Sequence, residues 1–433
     1  SPVSKYTKII HVAVQIPSEP LLISCCSRED VMTAIFLAPL YLILNGYILL
    51  WLYSWAEALF HGFRSPWFRI SAAILYLFFS LTPLTGLLIT RNPFHRILKI
   101  LGNYWLGTLE YVLLFVLLFD AIRRITGHSF LIRYRYPSML HAWPKSLLLF
   151  GCLAVFLVCS LSLYGIIHAK NIRVRHYPVT LYKPCKLSGL KIALIADLHL
   201  GYNSTERHIK RIVEAINQEK PDLVCIAGDF FDNEYEAIKN PETLAGLLAS
   251  LKSTYGTYGC FGNHDVSEKI LAGFTFPHRE RLSRDQRFMD FLDSADIRVL
   301  EDETIFLSDS FYLSGRKDPD MAKKEADTRL SYDTLTHELN QAFPIIVMDH
   351  QPRELALGEA AGADLILSGH THGGQMFPAS LFMPLFWENP WGIKKAGAMT
   401  SVVTSGAGVW GPAMRIGSDC EIVILDVAFR PEP

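Results

Sequence analysis

The apolar pattern divides the chain in two. Between residues 31 and 168 four long apolar stretches follow one another, and from Lys191 onward short apolar runs alternate with helical ones. The first stretch is uncharged from Val31 to Ala56, and the second lies between Arg69 and Arg91. The third covers Leu101 to Phe119 and the fourth follows Lys145 as far as Ile167. Each approaches the roughly 20 apolar residues that a helix needs to cross a bilayer. Short basic loops separate them, which predicts a transmembrane helical bundle over 31–168 rather than four buried helices of a soluble fold. The segment 1–30 lacks the ordered basic, apolar and small-residue regions of a cleavable signal, so the first span is expected to stay attached.

Four spans put the N-terminus and the C-terminal domain on one face. Lys5, Lys8, Arg28, Arg91, Arg96, Lys99, Lys170, Arg173 and Arg175 fall on that face. Arg64, Arg69, Arg123, Arg124, Arg133, Arg135 and Lys145 fall on the other, which tips the expectation toward a cytoplasmic domain. Glu110 sits inside the third span, where an ionisable group is costly; a protonated or paired carboxyl joining helices is the reading preferred over transport or catalysis.

Residues 169–190, with Pro178 and Pro184, read as a polar linker, and 191–433 as an α/β domain. Strand-like runs end at polar clusters five times. Lys191-Ile-Ala-Leu-Ile-Ala leads to Asp197, Asp222-Leu-Val-Cys-Ile-Ala to Gly228-Asp229, and Thr257-Tyr-Gly-Cys-Phe to Gly262-Asn263. Pro344-Ile-Ile-Val-Met leads to Asp349-His350, and Asp364-Leu-Ile-Leu-Ser to Gly369-His370. Strand C-termini are where open α/β sheets place their ligands, so the clusters are expected to converge at one sheet edge. Amphipathic helices are expected over Thr205–Lys220 and over Pro241–Lys252, the latter with proline suited to a first turn.

Charge adds little: 41 Lys+Arg balance 42 Asp+Glu, giving no field that would imply nucleic acid as partner. The eight cysteines show neither paired metal-ligand spacing nor a disulfide framework, and Cys225 and Cys260 lie in apolar runs as small buried hydrophobes.

The polar clusters carry the chemistry. They read Asp197-Leu-His199, Gly228-Asp229-Phe-Phe-Asp232, Gly262-Asn263-His264-Asp265, His350 and Gly369-His370-Thr-His372-Gly-Gly. Two divalent cations about 3.5–4 Å apart need a bridging carboxylate within a shell of imidazole and oxygen ligands, and Asp229 is the natural bridge. The donors are oxygen and nitrogen without thiolate, which suits Mn, Fe, Zn or Co.

This set, D-x-H, GD-x-x-D, GNH-D, a separate His and GH-x-H, resembles the calcineurin-like metallophosphoesterases over Lys191 to about Val427. The resemblance implies an α/β sandwich of two packed sheets flanked by helices. It further implies that Asp197, His199, Asp229 and His372 bind one metal and that Asp229, Asn263, His350 and His370 bind the second, Mn foremost. His264 would stabilise or protonate the leaving oxygen, and Asp232 matches the acidic residue that orients it. The implied reaction is in-line attack on phosphorus by a metal-bridging hydroxide. Asn233 stands where the protein-phosphatase branch has Arg, which argues against a phosphoprotein substrate.

Four spans ahead of this domain look like the membrane-anchored bacterial branch of the family, whose relatives include UDP-2,3-diacylglucosamine hydrolases. The expected function is therefore that of a membrane-anchored phosphoesterase or pyrophosphatase, its partners the lipid bilayer and a phosphoester, such as a lipid-linked one. The alternatives are an anchored phosphodiesterase for soluble nucleotides and a membrane sensor or scaffold with a vestigial site.

Three groups of residues outside the motifs carry expectations of their own. Met376 to Trp391 holds nine large apolar residues beside a polar site, so it dips into the bilayer surface, lines a groove for an acyl chain, or packs under the sheet. Arg316, Lys317 and Arg415 could reach a phosphate but are expected in surface salt bridges. His168, His176 and His278 are expected as surface or interfacial histidines.

Overall fold

In a computed structural model, residues 28–88, 94–128, 143–268, 282 and 284–431 are described. Cys25, Cys26, His278, Lys5, Lys8, Arg91, Arg133 and Arg135 lie outside them, as do the side chains of Arg28 and Lys145. Four helices come first: α1 (Arg28–Leu59), α2 (Pro66–Leu88), α3 (Phe94–His128) and α4 (Trp143–His168). All four are long and apolar enough to cross a membrane. Their outward side chains are apolar, with Ile43, Ile74, Phe156 and Leu163 all more than half exposed. That is the inverse of a soluble surface and the pattern a lipid-facing bundle requires.

α3 is longer than the third apolar stretch. At 35 residues it spans roughly 52 Å, well beyond the ~30 Å hydrocarbon core. Its first turns also grip the C-terminal domain. Arg96 donates to the Ala237 carbonyl (2.9 Å), Lys99 pairs with Glu234 (3.5 Å), and His95 meets the Tyr202 hydroxyl (2.8 Å). Further along, Gly107 faces Pro412 and Met414 so closely that a Cβ would sit 2.8 Å from each. The Tyr111 hydroxyl donates to the Phe377 carbonyl (2.8 Å). At the end of α4 the Arg415 N–H donates to the Gly165 carbonyl (3.0 Å), and His168 meets Asp419 (2.9 Å). Glu110, next to Tyr111, is half-buried.

The C-terminal domain has two six-stranded mixed sheets. β1 (Ile172–Leu181), β2 (Leu190–Ile195), β3 (Leu223–Ala227), β4 (Thr257–Cys260), β5 (Ile297–Val299) and β12 (Cys420–Phe429) form one, in the order β1-β12-β2-β3-β4-β5. β6 (Glu303–Leu307), β7 (Phe311–Gly315), β8 (Ile345–Met348), β9 (Leu365–Ser368), β10 (Gly392–Ala396) and β11 (Met399–Val403) form the other, in the order β10-β11-β9-β8-β7-β6.

The central strands are apolar on both faces because both faces are covered. In β2, Ile192 and Leu194 point into the seam between the sheets, where they meet Ile346, Leu367 and Val402. Ala193 and Ile195 point the other way, toward the helices Glu206–Glu219 and Pro241–Leu248 through Ile212, Ile216 and Leu244. On the opposite outer face Tyr332, Leu335 and Leu355 cover β8 and β9. Cys225 and Cys260 fill the seam as small buried hydrophobes. The helix at Glu206 starts as the sequence suggests, with the Thr205 side chain accepting from the His208 N–H.

Part of the expected linker is a strand. Ile172–Leu181 pairs in parallel with β12 across its whole length, so the sheet begins within 169–190. Pro178 is tolerated because β1 is an edge strand, where one side of the backbone has no ladder to fill.

A candidate dinuclear metal centre

The five polar clusters meet, but at the common end of both sheets rather than at the edge of one. β2, β3 and β4 deliver Asp197, Asp229 and the Asn263-His264 pair from the first sheet; β8 and β9 deliver His350 and His370 from the second. Packing the sheets face to face brings residues 173 positions apart into contact: His199 Nε2 lies 3.1 Å from His372 Nε2.

Two nests of ligand atoms share one carboxylate. In the first, Asp197, His199 and His372 present atoms all within 4.8 Å of one another, with His372 Nε2 3.6 Å from Asp197 Oδ1. In the second, Asp229, His350 and His370 do the same, with His370 Nδ1 3.2 Å from His350 Nε2. Asp229 Oδ2 is 3.7 Å from His199 Nε2 in the first nest and 3.1 Å from His350 Nε2 in the second. The His264 N–H donates to the other oxygen, Oδ1 (2.8 Å), which turns Oδ2 toward both nests.

These positions fit two cations on three grounds. Ring nitrogens face each other in pairs, an arrangement that needs a shared proton or a metal between them. Asn263 Oδ1 is buried without a hydrogen-bond partner, as an oxygen reserved for a ligand would be. Burial raises Asp197 to about 6, whereas at Asp229 the pull of His350 and His264 overcomes burial and lowers it. His350 in turn is driven up by Asp229 against its own burial. The carboxylates thus demand positive charge, which divalent cations would supply. His350 Nδ1 donates to the Ala227 carbonyl (2.7 Å), which leaves Nε2 free as a metal donor.

The backbone here is held in costly conformations. Asp197, His199, Asp229, His370 and His372 all have positive φ, between 43° and 71°. The left-handed region costs about 1–2 kcal/mol per residue, and surrounding bonds must impose it. They do: Asp197 N–H donates to the Gly228 carbonyl (2.9 Å), and His370 N–H to Asp197 Oδ1 (3.0 Å). Glycine makes room between them. A Cβ on Gly262 would lie 2.2 Å from Asp229 Oδ1, so any side chain there would displace the shared carboxylate.

Asp232 and His264 also reach the site, and Asn233 joins them. His264 Nδ1 contacts Asn233 Oδ1 (2.5 Å), and the Asn233 amide is turned that way because its NH2 donates to the Val266 carbonyl (3.2 Å). Asp232 Oδ1 lies 3.7 Å from His199 Nδ1, and Asp232, His199 and His264 present atoms all within 4.8 Å of one another. Asp232 thus stands beside both His199 and His264, while the hydrogen bond to the His264 ring comes from Asn233. Burial lowers His264 to about 4, so its ring is neutral near pH 7.

Arg316, Lys317 and Arg415 are not surface residues. Arg316 is buried between Asp349 (3.1 Å) and Glu354 (2.9 Å) over the Tyr332 ring, directly behind His350. Lys317 is buried between Glu325 (2.9 Å) and Asp327 (2.7 Å). Their strand ends inside the domain, where an unpaired charge would be expensive, so each meets acidic partners. Arg415 is fully buried and donates to the carbonyls of His372 (3.1 Å) and Gly408 (2.7 Å) and to Ser418 Oγ (3.1 Å). It is the clamp on the His372 loop, and only its burial reveals that. His176 is exposed as expected.

Arg415→Met keeps the volume and removes the donors. Metal affinity is expected to fall by roughly 10–100-fold, as for other groups that orient ligands, which calorimetric titration of Mn into the metal-free protein measures.

Residues 190–374 match the calcineurin-like phosphoesterase family, so the C-terminal part of the chain carries a calcineurin-like phosphoesterase domain. An uncharacterised metallophosphoesterase of Helicobacter pylori is 33% identical over 58% of this chain and 63% of its own length. A transmembrane protein with metallophosphoesterase domain from Danio rerio is 29% identical over 75% of this chain and 72% of its own. The UDP-2,3-diacylglucosamine pyrophosphatase LpxG of Chlamydia trachomatis is 24% identical over 44% of this chain and 65% of its own. The chain thus spans less than two thirds of the Helicobacter relative, and relatives occur in animals as well as bacteria.

Proposed function

We propose that the protein is a membrane-anchored phosphoesterase that hydrolyses a phosphoester or pyrophosphate bond in a lipid-linked substrate, using two divalent cations, Mn foremost. The observation that carries this reading is the sharing of Asp229 Oδ2 between the two ligand nests. Asp197, His199, Asp229 and His372 would hold one cation; Asp229, Asn263, His350 and His370 would hold the other. Such a pair supplies Lewis acidity to the phosphoryl oxygens and lowers the pKa of water.

The chain's own residues do the rest. His264, its Nδ1 held by Asn233, has Nε2 left to meet the leaving oxygen. A phosphate brought beside it favours the imidazolium that burial otherwise resists, so proton donation is tied to substrate binding. A lipid-linked substrate is favoured by the four apolar helices and by the similarity to a pyrophosphatase of a diacylated sugar nucleotide. The small excess of basic residues on its face favours a cytoplasmic domain.

The test is hydrolysis by detergent-solubilised protein with added Mn. The panel is a nitrophenyl diester and monoester, UDP-2,3-diacylglucosamine, other lipid phosphoesters and cyclic nucleotides. Turnover is expected to need metal, to disappear in His264→Ala and to be highest on a lipid-linked member. Turnover confined to soluble esters would defeat the lipid assignment, and silence with two metals bound would defeat the enzyme itself.

A further inference from the structure

The helix Ala379–Phe386 has no buried residue. Leu381, Phe382, Leu385 and Phe386 are each more than half exposed, and Phe377 and Trp391 beside it are more than two fifths exposed. Elsewhere in the domain only Tyr182, Phe306, Leu357 and Ile393 are comparably exposed among the described residues. No charged residue occurs from Gln375 to Trp387; the exposed Arg353, Glu354, Glu388 and Lys394 stand at its end. An uncharged run of exposed Leu and Phe side chains with charges of both signs at its border is the composition of a segment that enters the interfacial layer of a bilayer.

Its place in the fold says what covers it. Met376 packs with Tyr111 of α3, Val158 of α4, and with Met414 and Ile416. The Phe377 carbonyl accepts from the Tyr111 hydroxyl. The segment therefore continues directly from two helices whose own outward faces are apolar. Its other end is tied to the metal centre, for the Trp387 ring meets His370 edge to face (centroids 4.6 Å) and carries Arg353 on it at 4.4 Å.

We infer that Ala379–Phe386 is immersed in the lipid surface beside α3 and α4, and that it seats the mouth of the metal centre there so that a phosphoester enters from the plane of the membrane. The immersion stands on the geometry alone; the entry route rests on the hydrolase reading above.

Both parts are tested in full-length protein held in phosphatidylcholine nanodiscs. Leu385→Trp adds emission over the parent protein. In discs whose acyl chains are brominated that added emission is expected to fall by about half or more, as for an indole at the headgroup–acyl boundary. Added emission that survives bromination unchanged would overturn the immersion. The double variant Leu381→Asp/Leu385→Asp then reads the route. Hydrolysis of a soluble nitrophenyl diester is expected to persist, while turnover of a phospholipid ester in the same disc falls roughly tenfold or more, in line with the cost of placing Asp in lipid. An equal fall in both would show that the helix merely props the metal loop, and overturns the route. Absence of metal-dependent turnover in the parent would count against the hydrolase reading and the route with it, and the emission result would still decide the immersion.

Discussion

Asp229→Ala is expected to abolish hydrolysis and to strip both cations. One oxygen of Asp229 lies against both ligand nests, and the other accepts from the His264 N–H, so a single truncation removes the carboxylate the nests share and frees the loop of His264. A metal pair contributes several kcal/mol of charge stabilisation in phosphoryl transfer, which makes the loss at least on the order of 10³-fold. Elemental analysis of the dialysed protein checks the metal count. The fold should survive, because β3 ends before Asp229 and its core residues Val224, Cys225 and Ile226 are untouched. Retention of two tightly held cations in the variant would show that the bridge has been misassigned.

The second large effect belongs to His264. His264→Ala is expected to keep both metals and lose roughly 10²–10⁴ in kcat, the usual contribution of a positioned acid. The loss should depend on the leaving group. A nitrophenolate departs without a proton and should suffer least, whereas an alkyl or lipid alkoxide should suffer most. Asn233→Ala, which keeps the ring but removes its anchor at Nδ1, is expected to show a smaller fall with the same dependence on leaving group. Asp232→Ala should instead weaken metal binding through His199. Rates on a leaving-group series, measured beside metal content, separate the three; the same leaving-group slope in Asp232→Ala as in His264→Ala would restore Asp232 as the orienting residue.

The set of candidate ligands is legible from sequence because residue type and spacing are local properties. Each motif occupies the few residues after a strand, and the types of side chain there, with their spacing, name the chemistry without any knowledge of distant neighbours. The same holds for the four spans, since length and hydropathy decide whether a helix is stable in lipid. The boundaries were less legible. α3 runs past its apolar stretch because Arg96 and Lys99 find partners on the C-terminal domain, and β1 hides in a proline-bearing segment whose strand character depends on the neighbouring β12.

Contacts made across the fold were decided by tertiary structure alone. Asp232 and Asn233 are adjacent, and the sequence offers either as the partner of His264. The left-handed turn at Asn233 (φ 60°) and the bond from its amide to the Val266 carbonyl settle which one faces the ring. Arg415 reads as a surface cation until the chain folds over it and its donors meet the carbonyls under His372. The segment Met376–Trp391 is apolar in sequence throughout, yet Met376 packs inward against α3 and α4 while Leu381 to Phe386 point outward. Residue type fixes what a side chain can bind. Which of those capacities is used depends on burial and on partners hundreds of positions away, and these exist only once the two sheets and the four helices have packed.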